Sequence, residues 1–219
     1  MSGHITALRF QKHTPDRVNV YLDDLFAFGL PAVAAARLRP GQFLSDDAIA
    51  RLQDVDAEAK AYDRAVRFLA VRPRSQAEVQ RHLVQAEVGE AVVEAVLARL
   101  AIDGYLNDAE FARYWVENRE QFRPKGAQAL RSELRGKGLE REVVESAVAG
   151  LDEAAAAYKS AQPRAARLAV LAQSDPQGFR RKLGDFLARR GFGYQVVREV
   201  VERLMRELTS EERMMNDEG

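Results

Sequence analysis

Cysteine is absent from the 219 residues of this chain, and no stretch approaches the roughly 18 apolar residues of a membrane span. Without cysteine, neither a disulfide framework nor a thiolate metal site can form, which suits a reducing compartment. The first ten residues include Gly3, His4 and Arg9, so they lack the continuous apolar run of a secretory signal. We therefore expect a cytoplasmic protein that does not enter a membrane.

Residues typical of catalysis are few. The three histidines, His4, His13 and His82, have no metal-ligand spacing and no serine–aspartate pair beside them, so we expect them to be exposed. Adjacent carboxylates at Asp23-Asp24 and Asp46-Asp47 suit a turn and a helix cap. We expect no catalytic residue, no metal and no cofactor, and hence not an enzyme. A hydrolase or transferase would need a deep pocket with convergent acidic or histidine side chains.

The chain also has no net charge, because its 33 basic side chains balance its 33 acidic ones. The charges are unevenly placed: residues 1–59 carry a net charge of −2, residues 152–207 carry +4, and residues 208–219 carry −3. Of the basic residues, 27 are arginine and six are lysine. Arginine suits bidentate contacts with phosphate or carboxylate, although a general compositional bias explains the excess equally well.

Residues 1–59 have the pattern of a small β-containing segment. Ile5 to Phe10 suits a strand, and two further β-like runs, Val18 to Leu22 and Leu25 to Phe28, flank Asp23-Asp24. Two such runs around a two-residue connection predict a β-hairpin.

Two helices are expected to complete this segment. The first covers Leu30 to Arg37 and ends at Arg39-Pro40-Gly41. Ser45 then provides an N-cap for a second helix that we expect to end near Val55.

From residue 60 onward an apolar pattern recurs three times, at spacings of 51 and 53 residues. The equivalent positions are Leu83, Val92, Val93, Val96, Leu97 and Leu100; Leu134, Val143, Val144, Ala147, Val148 and Leu151; and Leu187, Val196, Val197, Val200, Val201 and Leu204. The last five of each set share one helix face. We predict a mainly all-α protein with three-helix repeats at 60–106, 107–151 and 152–207, in an elongated or curved array, before an acidic flexible tail at 208–219.

The signals for helix ends also recur. Gly138 and Gly191 each follow the leading leucine of a repeat by four residues and suit left-handed helix ends. The predicted N-caps are Ser75 with Glu78 as a capping box, Asn107 or Asp108, and Asp175 before Pro176. Pro163 must start, end or kink the first helix of the third repeat. Phe111 and Trp115 suit the core better than a stacking platform.

Three stretches resemble the RecX family. They are Arg72-Pro73-Arg74-Ser75 through Leu83, Asp103-Gly104-Tyr105-Leu106-Asn107-Asp108 through Ala112, and Arg123-Pro124-Lys125-Gly126 through Leu139. The resemblance covers about residues 60–207, and the leading segment is similar to the extension of the family's longer members. This chain differs from those members at Asp24, where glycine is usual, and its third repeat matches only loosely.

The resemblance implies a regulator of RecA, in the setting of homologous recombination, DNA repair and the SOS response. The family is thought to lie in the groove of the RecA–DNA filament and to suppress ATP hydrolysis, strand exchange and coprotease activity. A second hypothesis is a helical module that binds single- or double-stranded DNA independently of RecA.

The candidate contacts for RecA or DNA are basic side chains near the starts and ends of helices in the repeats. They are Arg72, Arg74, Arg123, Lys125, Arg131, Arg135, Lys137, Arg180, Arg181, Lys182, Arg189 and Arg190. If the repeats stack, the turns at Gly138 and Gly191 are expected to line one edge. The alternative is a solvated helix face with i,i+4 ion pairs, such as Glu133 with Lys137.

Overall fold

The N-terminal strands form a four-stranded antiparallel sheet in this computed structural model, which describes residues 2–217 and the side chains of residues 2–210. The strands are β1 (Gly3–Phe10), β2 (Arg17–Leu22), β3 (Leu25–Pro31) and β4 (Phe43–Leu44), in the order β3-β2-β1-β4. The predicted hairpin is confirmed. Its turn residues Asp23 and Asp24 have φ angles of 47° and 68°, as a two-residue type I′ turn requires, and aspartate tolerates this region better than most residues.

One face of the sheet packs on helices. Val18, Val20 and Leu22 alternate inward and join Ile49 of α2 (Asp46–Leu69) in a core. The predicted helix at Leu30 to Arg37 is reduced to the four residues of α1 (Ala32–Ala35). The expected end of the next helix near Val55 is wrong, because no glycine or proline interrupts the chain between Asp46 and Leu69.

The two halves of α2 therefore pack in two different cores. Its second half packs with α3 (Gln76–Val84) and α4 (Glu90–Ile102) around Val79, Leu83 and Leu100. The boundary expected between residues 59 and 60 falls inside this helix. The chain separates into two compact units, Met1–Leu106 and Asn107–Gly219.

The second unit contains seven helices within the residues that the structure describes. They are α5 (Asp108–Phe122), α6 (Ala127–Gly136), α7 (Arg141–Val148), α8 (Glu153–Arg167), α9 (Ala169–Ser174), α10 (Pro176–Arg189) and α11 (Tyr194–Asp217). The first three enclose a core that includes Leu130, Leu134 and Val144. The last four enclose a second core with Phe179 and Leu187.

The predicted repeat register is confirmed by burial. The equivalent leucines Leu83, Leu134 and Leu187 are each 0% exposed. The mainly helical class with a small antiparallel strand segment is confirmed as well, whereas the elongated or curved array stays a prediction.

The predicted helix ends are also found. Ser75 and Glu78 form a reciprocal capping box, and Asn107 and Asp175 accept hydrogen bonds from backbone N–H groups of their helices. Gly138 and Gly191 have φ angles of 85° and 80°. Glu87 takes the matching place in the first repeat with a φ of 59°, so a non-glycine residue ends that helix in the same left-handed conformation.

The third repeat departs from three helices. Pro163 lies inside α8, and the break comes later, at Leu168, where α9 begins. Helix α11 continues to Asp217, so the tail predicted to be flexible is helical over residues 208–217, and residues 218–219 lie outside the described residues.

Candidate functional site

The twelve predicted contact residues fall into three chemical states. Five of them form ion pairs with glutamates. These pairs are Arg72–Glu78, Lys125–Glu133, Arg131–Glu145, Arg135–Glu145 and Arg180–Glu202. All five connect residues at least six positions apart, so they tie separate segments together instead of forming the i,i+4 pattern. Each of these five charges is partly offset by a glutamate, and Arg131 and Arg135 share one carboxylate.

Three further candidates lie over aromatic rings. Arg74 lies 3.8 Å from the ring centre of Phe68, Lys137 lies 4.9 Å from that of Trp115, and Arg190 lies 4.7 Å from that of Phe186. Cation–π contacts of this kind hold the side chain against the protein without cancelling its charge.

The remaining four, Arg123, Arg181, Lys182 and Arg189, are exposed. None of them forms an ion pair with a residue that the structure describes. All four lie in the second unit, at the end of α5 or on α10. They are therefore the predicted residues whose charge is best available to a partner.

Glu133 is the centre of the most connected polar group in the second repeat. It accepts hydrogen bonds from Trp115 Nε1 at 2.7 Å, from Arg119 Nε at 2.8 Å and from Lys125. Burial favours the neutral acid, but the hydrogen bonds from Lys125, Arg119 and Trp115 outweigh it and hold the pKa of Glu133 below its usual value. Lys125 and Arg119 thus organise the repeat and are less available to a partner.

Trp115 is only partly buried. Phe111 is in the core at 4% exposure, as predicted, whereas Trp115 packs at the margin of that core with Arg119 4.4 Å from its ring centre. The indole is thus neither an open stacking surface nor a fully buried side chain.

Arg72 and Arg74 precede α3 and have structural contacts. Arg72 pairs with Glu78, which completes the capping box, and Arg74 packs on Phe68. The other face of Phe68 is occupied by His82, whose ring is stacked 3.9 Å away at 7°. The expectation that His82 is exposed is therefore wrong, because this side chain is partly buried. Burial lowers the pKa of His82, and the positive charges of Arg64 and Arg74 lower it further. His4 and His13 are exposed, as predicted.

The second and third repeats meet at a close backbone contact, which we call the glycine seam and define by Gly126 and Gly191. The N–H of Gly126 donates to the carbonyl of Arg190 at 3.0 Å. A Cβ atom on Gly126 would lie 2.1 Å from the carbonyl oxygen of Gly191. No other residue type fits at Gly126 without displacing the backbone of the third repeat.

Two cations donate hydrogen bonds to backbone carbonyls of the segment that precedes Gly126. Lys159 Nζ donates to the carbonyls of Glu120 and Gln121, both at 3.1 Å, near the C-terminal end of α5. Arg190 Nη1 donates to the carbonyl of Pro124 at 3.3 Å. Lys159 was not among the predicted residues, because its partners lie nearly 40 positions away and are backbone atoms with no sequence signal.

The seam also corrects the expected position of the two turns. Gly191 packs at the start of α6, whereas Gly138 follows its end. Helix α6 has ten residues, which span about 15 Å. Arg189 and Arg190 therefore lie near Arg123 and Lys125 and are separated from Arg135 and Lys137 by the length of α6.

The described residues also bear on metal binding and on membrane insertion. No group of three or more histidine, aspartate or glutamate side chains is placed there to hold a metal ion. No described helix combines the length and the apolar character that crossing a membrane demands.

Three family models match successive parts of the chain. "Regulatory protein RecX N-terminal domain" matches residues 3–44, "RecX, first three-helix domain" matches residues 61–100, and "RecX, second three-helix domain" matches residues 107–148. The helices and the strand segment thus define a helical-repeat protein of a regulatory class. The chain belongs to the RecX family.

Similar proteins support this assignment. "Regulatory protein RecX" of Bacillus licheniformis is 30% identical over 89% of this chain and 74% of its own length. Its namesake in Mycobacterium avium is 37% identical over 66% of this chain and 84% of its own length. The namesake in Bacillus subtilis is 36% identical over 66% of this chain, but the match covers only 55% of that relative's length.

Two solved structures share the fold. The chain named "Crystal structure of regulatory protein RecX" has a TM-score of 0.76 at 25% identity and covers 92% of this chain and 100% of its own. RecX from Lactobacillus salivarius has a TM-score of 0.62 at 21% identity and covers 68% of this chain and 97% of its own.

Proposed function

We propose that this chain regulates RecA by binding the RecA–DNA filament, and that it acts in the cytoplasm by binding and not by catalysis. Membership of the RecX family supports the RecA partner, since the family is named for regulation. The structural observation that supports a binding role is the exposed set Arg123, Arg181, Lys182 and Arg189. Arg123 and Arg189 end α5 and α10 close to the glycine seam, and Arg181 and Lys182 lie farther along α10.

The physical basis of regulation is preferential binding. A protein that binds one state of the filament more tightly than another shifts the filament toward the bound state. Exposed arginines suit acidic side chains of RecA or phosphates of its DNA, because a guanidinium donates two parallel hydrogen bonds to either group. Suppression of ATP hydrolysis, strand exchange and coprotease activity would follow if the bound state cannot complete the ATPase cycle.

A titration of the RecA ATPase tests the proposal. The full chain is added to RecA of the same organism on single-stranded DNA, and the rate of ATP hydrolysis is followed. We expect inhibition at chain concentrations comparable to or below that of RecA. An unchanged rate at a several-fold excess, with a chain shown to be folded by circular dichroism, would rule out this function.

A charge-reversal pair tests the surface. Arg123→Glu with Arg189→Glu should weaken inhibition at least tenfold in the half-inhibitory concentration, because it places repulsive charge beside the glycine seam. Arg51→Glu, on an exposed face of α2, is the matched control and should inhibit normally. Equal inhibition by the pair and the control would place the RecA contact elsewhere.

A DNA-binding module that acts without RecA is the second candidate. The same exposed arginines favour it, because they are also suited to phosphate. Four phosphate contacts on single-stranded DNA would give a slope of about −3 for log affinity against log salt. Binding that requires RecA would remove this candidate.

A further inference from the structure

The face of the N-terminal sheet that points away from α2 carries exposed aromatic rings. Val18, Val20 and Leu22 of β2 are buried, so Tyr21 lies on the opposite face, where it is paired with Phe26 of β3. At the other edge of the sheet, His4 of β1 is paired with Phe43 of β4, and both are exposed. We call these four rings the aromatic face.

The rings form two pairs. Tyr21 and Phe26 lie 6.0 Å apart at 75°, and Phe26 is 59% exposed. His4 and Phe43 lie 5.2 Å apart, and Phe43 is 55% exposed. Large aromatic side chains normally bury most of their surface, so an aromatic face left open on one side of a sheet indicates a binding surface.

A cation is already placed on this face. The guanidinium of Arg9 lies 5.0 Å from the ring centre of Tyr21, and its side chain is exposed. Lys12 follows at the same end of β1 and is exposed too. The carboxylates lie at the other end, in the β2–β3 turn, where Asp23 accepts a hydrogen bond from the N–H of His4.

The groups between the rings are small or polar. Asn19 neighbours Arg9 across the β1–β2 pair and accepts a hydrogen bond from Gln11 at 2.7 Å, and Thr6 and Ala7 lie between the two ring pairs. A protein partner would favour a continuous apolar groove. Separate rings with amide and hydroxyl groups between them suit nucleobases, which need a flat surface for stacking and polar groups at their edges.

We infer that the aromatic face binds single-stranded nucleic acid, with a base stacked on the exposed ring of Phe26 and the backbone phosphates near Arg9 and Lys12. Stacking tolerates any base, because every base has a π face, so little sequence preference is expected. This site lies in the first unit and does not depend on the RecA contact proposed above.

Fluorescence anisotropy of a labelled single-stranded oligonucleotide, with the full chain and without RecA, tests the inference. Phe26→Ala should weaken binding about 5- to 150-fold, the equivalent of about 1–3 kcal/mol for one stacked base. Phe26→Tyr keeps an aromatic ring and should bind normally, which separates stacking from a loss of fold. Arg9→Ala should weaken binding and make the salt dependence shallower.

Tyr105→Ala is the matched control, since Tyr105 is 52% exposed but lies outside the sheet. Photocrosslinking of an oligonucleotide that contains 5-iododeoxyuridine should label Tyr21 or Phe26, as identified by mass spectrometry. Equal affinity of Phe26→Ala and the unaltered chain, or crosslinks confined to the helices, would overturn the inference. Absence of any oligonucleotide binding would do the same and would favour a protein partner for this face.

Discussion

At the scale of single residues, the contacts assign different roles to basic side chains that look alike in the sequence. Arg131 and Arg181 are both helical arginines near a repeat turn. Arg131 pairs with Glu145 at 2.8 Å, whereas Arg181 is exposed and has no described ion pair. The sequence could locate the basic clusters, but the choice between them depends on which glutamate a neighbouring helix brings within reach.

Glu133 should make the free energy of unfolding depend on pH in the acidic range. Its pKa is depressed in the folded chain, so its contribution is complete above the unfolded-state pKa and is lost as the pH falls through the lower folded-state value. Glu133→Gln should lower the free energy of unfolding at neutral pH by about 1–3 kcal/mol. The difference from the unaltered chain should shrink below about pH 4 in urea titrations followed by Trp115 fluorescence.

Glu117→Gln is the control for this prediction, because Glu117 is exposed on the same helix as Trp115. Its unfolding free energy should match that of the unaltered chain at every pH. A pH-independent deficit in Glu133→Gln would mean that the carboxylate charge is not what stabilises the repeat.

At the scale of helices and strands, the spacing of apolar residues and the helix-capping residues predicted most elements correctly. Asn107, Ser75 and Asp175 cap helices as expected, and the β2–β3 hairpin forms around two aspartates. The predicted end of α2 near Val55 is wrong, because no glycine or proline follows Val55 before Leu69. The glycine seam had no local signal, because Gly126 and Gly191 meet only in the tertiary structure.

Leu134→Ala should destabilise the second repeat by about 2–5 kcal/mol, because its side chain is 0% exposed in a core of leucine and valine. Chemical denaturation monitored by Trp115, which packs on the same core, measures the loss. Leu25→Ala is the comparison, since Leu25 is 74% exposed and its loss should change stability by less than about 0.5 kcal/mol. Similar values for the two variants would show that the repeat register is misassigned.

Gly126→Ala should disrupt the packing of the third repeat on the second. The added Cβ would lie 2.1 Å from a backbone oxygen, which no rotamer change relieves. We expect faster amide exchange at Ala127 and around Arg190, together with weaker inhibition of RecA.

Gly136→Ala, near the other end of α6, is the control, because a Cβ there meets nothing within 4 Å. This substitution should be neutral or stabilise the chain by up to about 1 kcal/mol. If both alanine variants inhibit equally well, the seam is not needed for regulation.

At the scale of the whole molecule, a net charge of zero conceals an uneven distribution, with a net charge of +4 over residues 152–207. The salt dependence of binding to DNA phosphates reports how many cations make contact. If Arg123, Arg181, Lys182 and Arg189 are the contacts, log affinity should fall with log salt with a slope of about −3, and not the slope of about −8 or steeper that all twelve candidates would give. Filament binding measured between 50 and 200 mM salt distinguishes the two values.

Helix α2 has a consequence for anyone who shortens this protein. Its 24 residues form a rod about 36 Å long that is shared by the sheet and by the first repeat. A fragment that starts at residue 60 would keep the helices of the first repeat. It would lose the sheet and the first half of α2, against which the sheet packs. Because no glycine or proline interrupts α2, a partner bound to the strands would move together with α3 and α4.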